Sequence, residues 1–187
     1  MRIISGQHKG KRILEPKDKN TRPMKDLVKE SIFNIIDHSN KFKVNLKNAN
    51  ILDLFSGVGS FGLESLSRGA KQVTFVENYP LVIKVLEKNI KNLDLDNKCK
   101  IFINDVLNEP FFDKLNNKYD IIFIDPPFKE KELSLIISKI FSSKILKKKS
   151  IIILHRKSGN KDYFPEKFRI VEEKKYGISK IIFGNYF

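Results

Sequence analysis

Cysteine is nearly absent: Cys99 is the only one in 187 residues. A single thiol excludes an internal disulfide framework and fits a reducing compartment. Long apolar runs are missing too. None approaches the roughly 18 residues that a membrane span needs. The opening Met-Arg-Ile-Ile-Ser-Gly-Gln-His-Lys-Gly holds no apolar stretch long enough for a secretory signal. The expectation is a soluble cytoplasmic protein with no membrane partner. Arginine is scarce, six residues against 30 lysines, and acid is outnumbered, 22 Asp and Glu against 36 Lys and Arg. What is present argues for a folded chain. Hydrophobic residues make up 41% and Phe alone supplies 15, which excludes a disordered polycation. The length suits one compact domain, and a domain of about 150 residues hides roughly 70% of its unfolded surface.

The net charge of +14 is unevenly spread. Residues 1–47 carry 12 basic and 5 acidic side chains, residues 48–128 carry 9 and 11, and residues 129–187 carry 15 and 6. Lysine-rich composition alone would spread more evenly. A slightly acidic middle between basic flanks implies that the flanks meet a polyanion.

The chain opens with two short strand-like runs, Arg2–Ser5 and Lys11–Leu14, which Gly6 and Gly10 turn into a hairpin. Apolar residues then recur at helical spacing over about 24–38. From residue 50, apolar runs at Ile51–Phe55, Val73–Val76, Ile101–Ile103, Ile121–Ile124 and Ile151–Leu154 alternate with helical patterns. Continuous apolar strands separated by helices predict a parallel sheet covered on both faces. Phe168–Glu173 and Lys180–Phe187 flank Tyr176-Gly177 and read as an antiparallel hairpin. The expected organisation is a basic extension over 1–47 and an α/β doubly wound domain over 48–187.

Two motifs carry chemistry. Asp53-Leu54-Phe55-Ser56-Gly57-Val58-Gly59-Ser60 places glycines at a strand-to-helix turn on the sheet's carboxyl edge, where such folds bind ligands. Alone, this loop is equally a tight turn with close helix packing. Glu77 ends the next strand, where a carboxylate can accept both hydroxyls of a ribose. Asp53 would repel a pyrophosphate but suits a cationic amino-acid group. The pair therefore favours S-adenosyl-L-methionine over a dinucleotide. Asp105, after the third strand, could accept from an adenine amine or simply cap its own loop.

The second motif is Asp125-Pro126-Pro127-Phe128, directly after a strand. The prolines stiffen the chain and remove two donors. The Asp125 carboxylate and the Pro126 carbonyl are then acceptors that can hold the two hydrogens of an exocyclic nucleobase amine. Held so, the nitrogen moves toward tetrahedral geometry and its lone pair is freed. Phe128 offers a flat apolar face for the base. A rigid strand exit with a packed Phe is the plain alternative.

These residues resemble class I methyltransferases with the amino-methylating D/N-P-P-Y/F/W motif. Arg2–Gly6, Lys9–Arg12, Thr21-Arg22-Pro23, Leu52–Ser60 with Gly62–Ala70, Asp125–Phe128 and Tyr176-Gly177 together look like the RsmD family. The resemblance implies a Rossmann-like, seven-stranded, mostly parallel sheet with a C-terminal antiparallel hairpin and a short N-terminal extension. It implies methylation of a guanine N2, position 966 of 16S ribosomal RNA, within the small ribosomal subunit. Apart from that resemblance, a monomer is the default expectation. Asp53, Phe55, Gly57, Gly59, Glu77, Asn78, Asp105 and Val106 would hold S-adenosyl-L-methionine, and Asp125, Pro126, Pro127 and Phe128 would carry the target base. No metal is implied. One departure stands out: many family members place a Glu after the fifth strand, where this chain reads Leu154-His155-Arg156-Lys157. His155 is expected to be an exposed polar residue at a strand end.

The basic arm, with Arg2, Lys9, Lys11, Arg12, Arg22 and Lys25, is expected to clamp the RNA backbone. Rival readings keep the fold and change the target to N6-adenine, N4-cytosine or a glutamine amide. Others are a nucleotide-dependent oxidoreductase and a non-catalytic RNA-binding factor.

Overall fold

The computed structural model describes residues 1–16, 24–108 and 110–187. Seven strands form one sheet: Asn50–Leu54 (β1), Gln72–Glu77 (β2), Cys99–Ile103 (β3), Tyr119–Ile124 (β4), Leu146–Lys157 (β5), Phe168–Tyr176 (β6) and Ser179–Tyr186 (β7). Their order is β3-β2-β1-β4-β5-β7-β6, parallel except for β7, which pairs antiparallel with both β5 and β6. The expected C-terminal hairpin is therefore present, with β7 inserted beside β5. Among the described residues the α-helices are Asp26–His38 (α1), Ser60–Ser67 (α2), Pro80–Asn92 (α3) and Leu133–Ser142 (α4).

Alternation along each strand splits the core in two. Ile51, Phe123, Ile153 and Phe183 face a cluster shared with α1, α2 and α3. Leu52, Ile122, Ile152 and Ile182 face a second cluster with α4. The chain runs β1 to β2 to β3 outward, then returns to place β4 on the other side of β1. Strand order reverses between β1 and β4, and the crevice at their carboxyl ends is the place where open α/β sheets bind ligands.

The N-terminal segment belongs to the first cluster. Ile3 and Ile13 are buried with Val28, Ile32 and Phe33. Arg2 and Arg12 form an antiparallel bridge, with Ile3 N donating to Lys11 O at 2.9 Å. The segment sits on α2, whose eight residues are all buried. This explains why α2 carries buried polar groups beside Phe61, Leu63 and Leu66. Glu64 accepts from Ile4 N (2.7 Å) and Ser5 N (3.0 Å), and Ser67 Oγ donates to Ser5 O (2.6 Å). On α3, Asn89 accepts from Leu14 N and donates to Leu14 O.

β5 is longer than its apolar run predicts. Lys147–Lys149 lie within it, across a register irregularity opposite Tyr119 and Ile121. Lys147 pairs with Asp120 at 2.6 Å. Part of the tail's basic excess is thus structural. No helix is long and apolar enough to cross a membrane among the described residues.

Candidate active site

The carboxyl ends of β1, β2 and β4 open into one cavity of about 560 Å³, within the range of small-molecule sites. Asp53, Phe55, Gly57, Glu77, Asn78, Asp125, Pro126, Pro127 and Phe128 all line it. The arm closes its rim through Met1, Pro16 and Met24.

Asp53 comes from β1 and is 1% exposed. Its Oδ2 accepts the Gly62 N–H at 3.0 Å. Burial pushes its carboxyl well above the ordinary value, and the nearby Asp125 and Glu77 push the same way. Three carboxylates thus face one cavity, with Lys129 the only lysine among its lining residues. Three acids against one lysine among the described lining residues leave an acidic excess that a cationic ligand would balance. Ser60 adds an orphan: its buried Oγ has no partner among the described residues, and it too lines the cavity.

Glu77 organises the glycine loop. Its Oε2 accepts from Gly57 N, and its Oε1 accepts from Asn78 N and Tyr79 N, each at 2.9 Å. A carboxylate has about four acceptor positions, so one stays open toward the cavity. Phe55 holds a φ of 59°. That left-handed conformation is a genuine outlier for a bulky residue, and such strain clusters at ligand sites.

The glycines divide by role. A side chain at Gly57 would enter open space, whereas one at Gly59 would lie 2.5 Å from Leu86 Cδ1 and one at Gly62 2.3 Å from Phe75 Cε1. Gly57 leaves room for a ligand, Gly59 lets Leu86 of α3 approach, and Gly62 lets α2 pack on β2. Gly59 is not among the cavity's lining residues, nor are Asp105 and Val106. Asp105 accepts from Leu107 N at 2.9 Å, which caps its own turn. Val106 is buried in the second core cluster. Arg2, Lys9, Lys11, Arg12 and Lys25 are exposed. Arg22 lies outside the described residues.

The Asp-Pro-Pro-Phe turn is held from behind. Arg156, 2% exposed, donates to Glu130 O (2.9 Å) and Pro127 O (3.5 Å) and pairs with Asp162 (2.8 Å). Asn160 Nδ2 donates to Phe128 O at 2.9 Å. No hydrogen bond occupies Pro126 O among the described residues. The expectation for His155 is corrected here. It is 4% exposed, lines the cavity and touches Asp125. β5 continues past its apolar run, so the residue after Leu154 is still covered. The signal in the sequence was a His-Arg pair ending a run of four apolar residues. Cys99 stands apart at the start of β3, and burial pushes its thiol up to about 12, which excludes it as a nucleophile at neutral pH.

The family model described as "Conserved hypothetical protein 95" matches residues 1–185. "Ribosomal RNA small subunit methyltransferase D" of Haemophilus influenzae is 32% identical over 183 residues, 95% of this chain and 90% of that one. The protein of the same name in Buchnera aphidicola subsp. Baizongia pistaciae is 33% identical over 176 residues, covering 94% and 86%. The solved structure of the candidate methyltransferase yhhF of Escherichia coli superposes with a TM-score of 0.82 at 26% identity, over 100% of this chain and 97% of that one. With a match of this extent, the chain belongs to the family of conserved hypothetical protein 95, the RsmD family.

Proposed function

We propose that this protein is an S-adenosyl-L-methionine-dependent methyltransferase acting on the exocyclic N2 of a guanine in small-subunit ribosomal RNA, position 966 of the 16S molecule. One observation carries the reading. The Asp-Pro-Pro-Phe turn and the acidic glycine loop line the same cavity, so a methyl donor and a target amine would meet there. The names of the Haemophilus and Buchnera relatives support small-subunit ribosomal RNA as the substrate class.

The residues present fit the cofactor. Asp53, with its uncompensated carboxyl, suits the cationic end, the Ser60 hydroxyl supplies an unused polar contact, and Glu77 keeps one acceptor position for a ribose hydroxyl. When bound, the cofactor supplies an electrophilic methyl on sulfur. Asp125 and Pro126 O hold the two amine hydrogens and aim the nitrogen lone pair at that methyl. The Phe128 ring covers the base. Methyl transfer there would leave the target nitrogen cationic, with one proton to lose. One amine proton then leaves to Asp125 or water. No strong base is required, because that proton departs after the methyl arrives. Positioning therefore supplies much of the rate.

Asp53→Asn separates binding from stability. A folded-state value raised above the unfolded value, 3.8, stabilises the fold below the unfolded value and loses that contribution as pH rises through the folded one. At neutral pH the carboxylate therefore costs stability, and the amide removes the cost while keeping an acceptor for Gly62. The variant is expected to melt about 2–8 °C higher, from about 1–2 kcal/mol. Its cofactor affinity is expected to fall about 10–100-fold. Calorimetry and thermal melting measure both, and an unchanged affinity would reject Asp53 as a ligand group.

The exposed arm charges are assigned to RNA phosphates. Each neutralised phosphate contributes about −0.7 to −0.9 to the slope of log affinity against log salt. Changing Lys9, Lys11 and Arg12 together to Ala is expected to flatten the slope by about 2–3 units, whereas an unchanged slope rejects the clamp. The substrate class is tested by offering labelled cofactor with small subunits lacking the modification, with DNA and with protein. Label on the RNA is expected; label on DNA or protein alone would overturn the reading.

A further inference from the structure

We propose that His155 and Ser179 form a positioning relay that fixes Asp125 for methyl transfer, with the ring locked in one tautomer. The proposal rests on the function assigned above. Ile124 of β4 pairs with Leu154 of β5, which sets Asp125 level with His155. Lys157 of β5 pairs with Ser179 of β7, so His155 and Ser179 are diagonal neighbours on one sheet face. His155 Nδ1 lies 2.8 Å from Asp125 Oδ1, and Nε2 lies 2.9 Å from Ser179 Oγ. The Phe128 ring meets the imidazole edge-on, 5.7 Å between centroids at 79°.

The hydrogen-bonding roles follow from chemistry. An ionised carboxylate only accepts, whereas a hydroxyl can donate or accept. A neutral imidazole therefore donates from Nδ1 to Asp125 and receives the Ser179 proton at Nε2. This bond occupies Oδ1 and leaves Oδ2 for one hydrogen of the target amine, with Pro126 O taking the other. The relay also stops Asp125 from rotating toward solvent, to which its side chain is 24% exposed. Both ring nitrogens are engaged, by Asp125 and Ser179, so His155 acts through Asp125 and Phe128 and does not take the product proton itself.

The relay is tested with four variants and one spectrum. His155→Phe keeps an aromatic ring but removes both polar contacts. It is expected to lower kcat about 10–100-fold, with affinity for S-adenosylhomocysteine within about twofold of the parent. His155→Asn can place an amide N–H near the Nδ1 position and is expected to recover most of that loss; His155→Gln, whose amide reaches toward Nε2, is not. Ser179→Ala frees the tautomer and is expected to lose several-fold in kcat, and it carries the activity test if His155→Phe does not fold. Equal activity of the Phe and Asn variants, a loss confined to KM, or unchanged kcat in Ser179→Ala would each overturn the relay. Nitrogen NMR of histidine-labelled protein reads the tautomer without turnover. Protonated Nδ1 and bare Nε2 are expected for His155, and a protonated Nε2 with bare Nδ1 would overturn the proposal. Absence of transfer by the parent protein would instead overturn the methyltransferase reading and leave the NMR result to decide the relay.

Discussion

Replacing Asp125 with Ala is expected to lower kcat for methyl transfer about 100–1,000-fold while RNA and cofactor affinities stay within about threefold. The magnitude is that of removing one preorganised polar contact from a reacting centre. In the proposed mechanism the lost carboxylate is one of two acceptors for the amine hydrogens, so without it the lone pair would stay delocalised and the nitrogen would be poorly aimed. The strand and its turn persist, because Asp125 N still donates to Leu54 O and Arg156 still holds Pro127 O and Glu130 O. Asp125→Asn is expected to lose far less. Its amide oxygen can accept an amine hydrogen, and its NH2 can donate to His155 Nδ1 if the Ser179 hydroxyl reverses. Single-turnover kinetics separate chemistry from binding. A loss in KM alone would show that Asp125 binds substrate without preparing the amine.

The second large effect is on stability. Glu64→Ala is expected to cost about 3–5 kcal/mol, the usual penalty for breaking a buried ion pair from one side. In a chain of this length that corresponds to about 6–20 °C in Tm. Glu64 is 0% exposed and sits between Arg68 Nε at 2.8 Å and Lys29 Nζ at 3.6 Å, while accepting from Ile4 and Ser5. Burial already holds the Lys29 amine below its ordinary value, against the opposing pull of Glu64 and Asp26. Without Glu64 the Lys29 ammonium loses its buried counter-ion, keeping Arg2 O at 2.8 Å and Asp26 at 3.9 Å, and the Ile4 and Ser5 N–H groups lose their acceptor beside the cavity. Glu64→Gln keeps an acceptor and is expected to cost less, about 1–3 kcal/mol. Urea unfolding measures both. A cost below about 1 kcal/mol for the Ala variant would mean that the arm is held by its apolar residues and its other hydrogen bonds, without need of Glu64.

Local pattern reveals much of this molecule. Apolar runs with few polar interruptions marked β1, β4 and the centre of β5, because strands covered on both faces leave little choice of residue. The acidic middle of the chain coincides with the cavity's three carboxylates. Asp125 and Phe128 were legible because a carboxylate before two prolines is rare chemistry at a strand exit. What stayed hidden depends on pairing across the fold. His155 gains its meaning from Ser179, 24 residues on, and Glu64 from Ile4 and Ser5, about 60 residues back. Nor can a glycine-rich loop declare which glycine meets a ligand. Gly57 opens onto the cavity, whereas Gly59 and Gly62 yield to Leu86 and Phe75. Nor does lysine count show which tail lysines are paired: Lys147 and Lys180 are engaged by Asp120 and Asp162.

In the proposed function this cavity methylates an exocyclic guanine amine. The most direct measurement digests small-subunit RNA, methylated in vitro by the parent protein, to nucleosides and identifies the methylated product by mass and retention. N2-methylguanosine is expected, and it should disappear with Asp125→Ala. Methylation on adenine N6, on cytosine N4 or on a ring nitrogen would contradict the account.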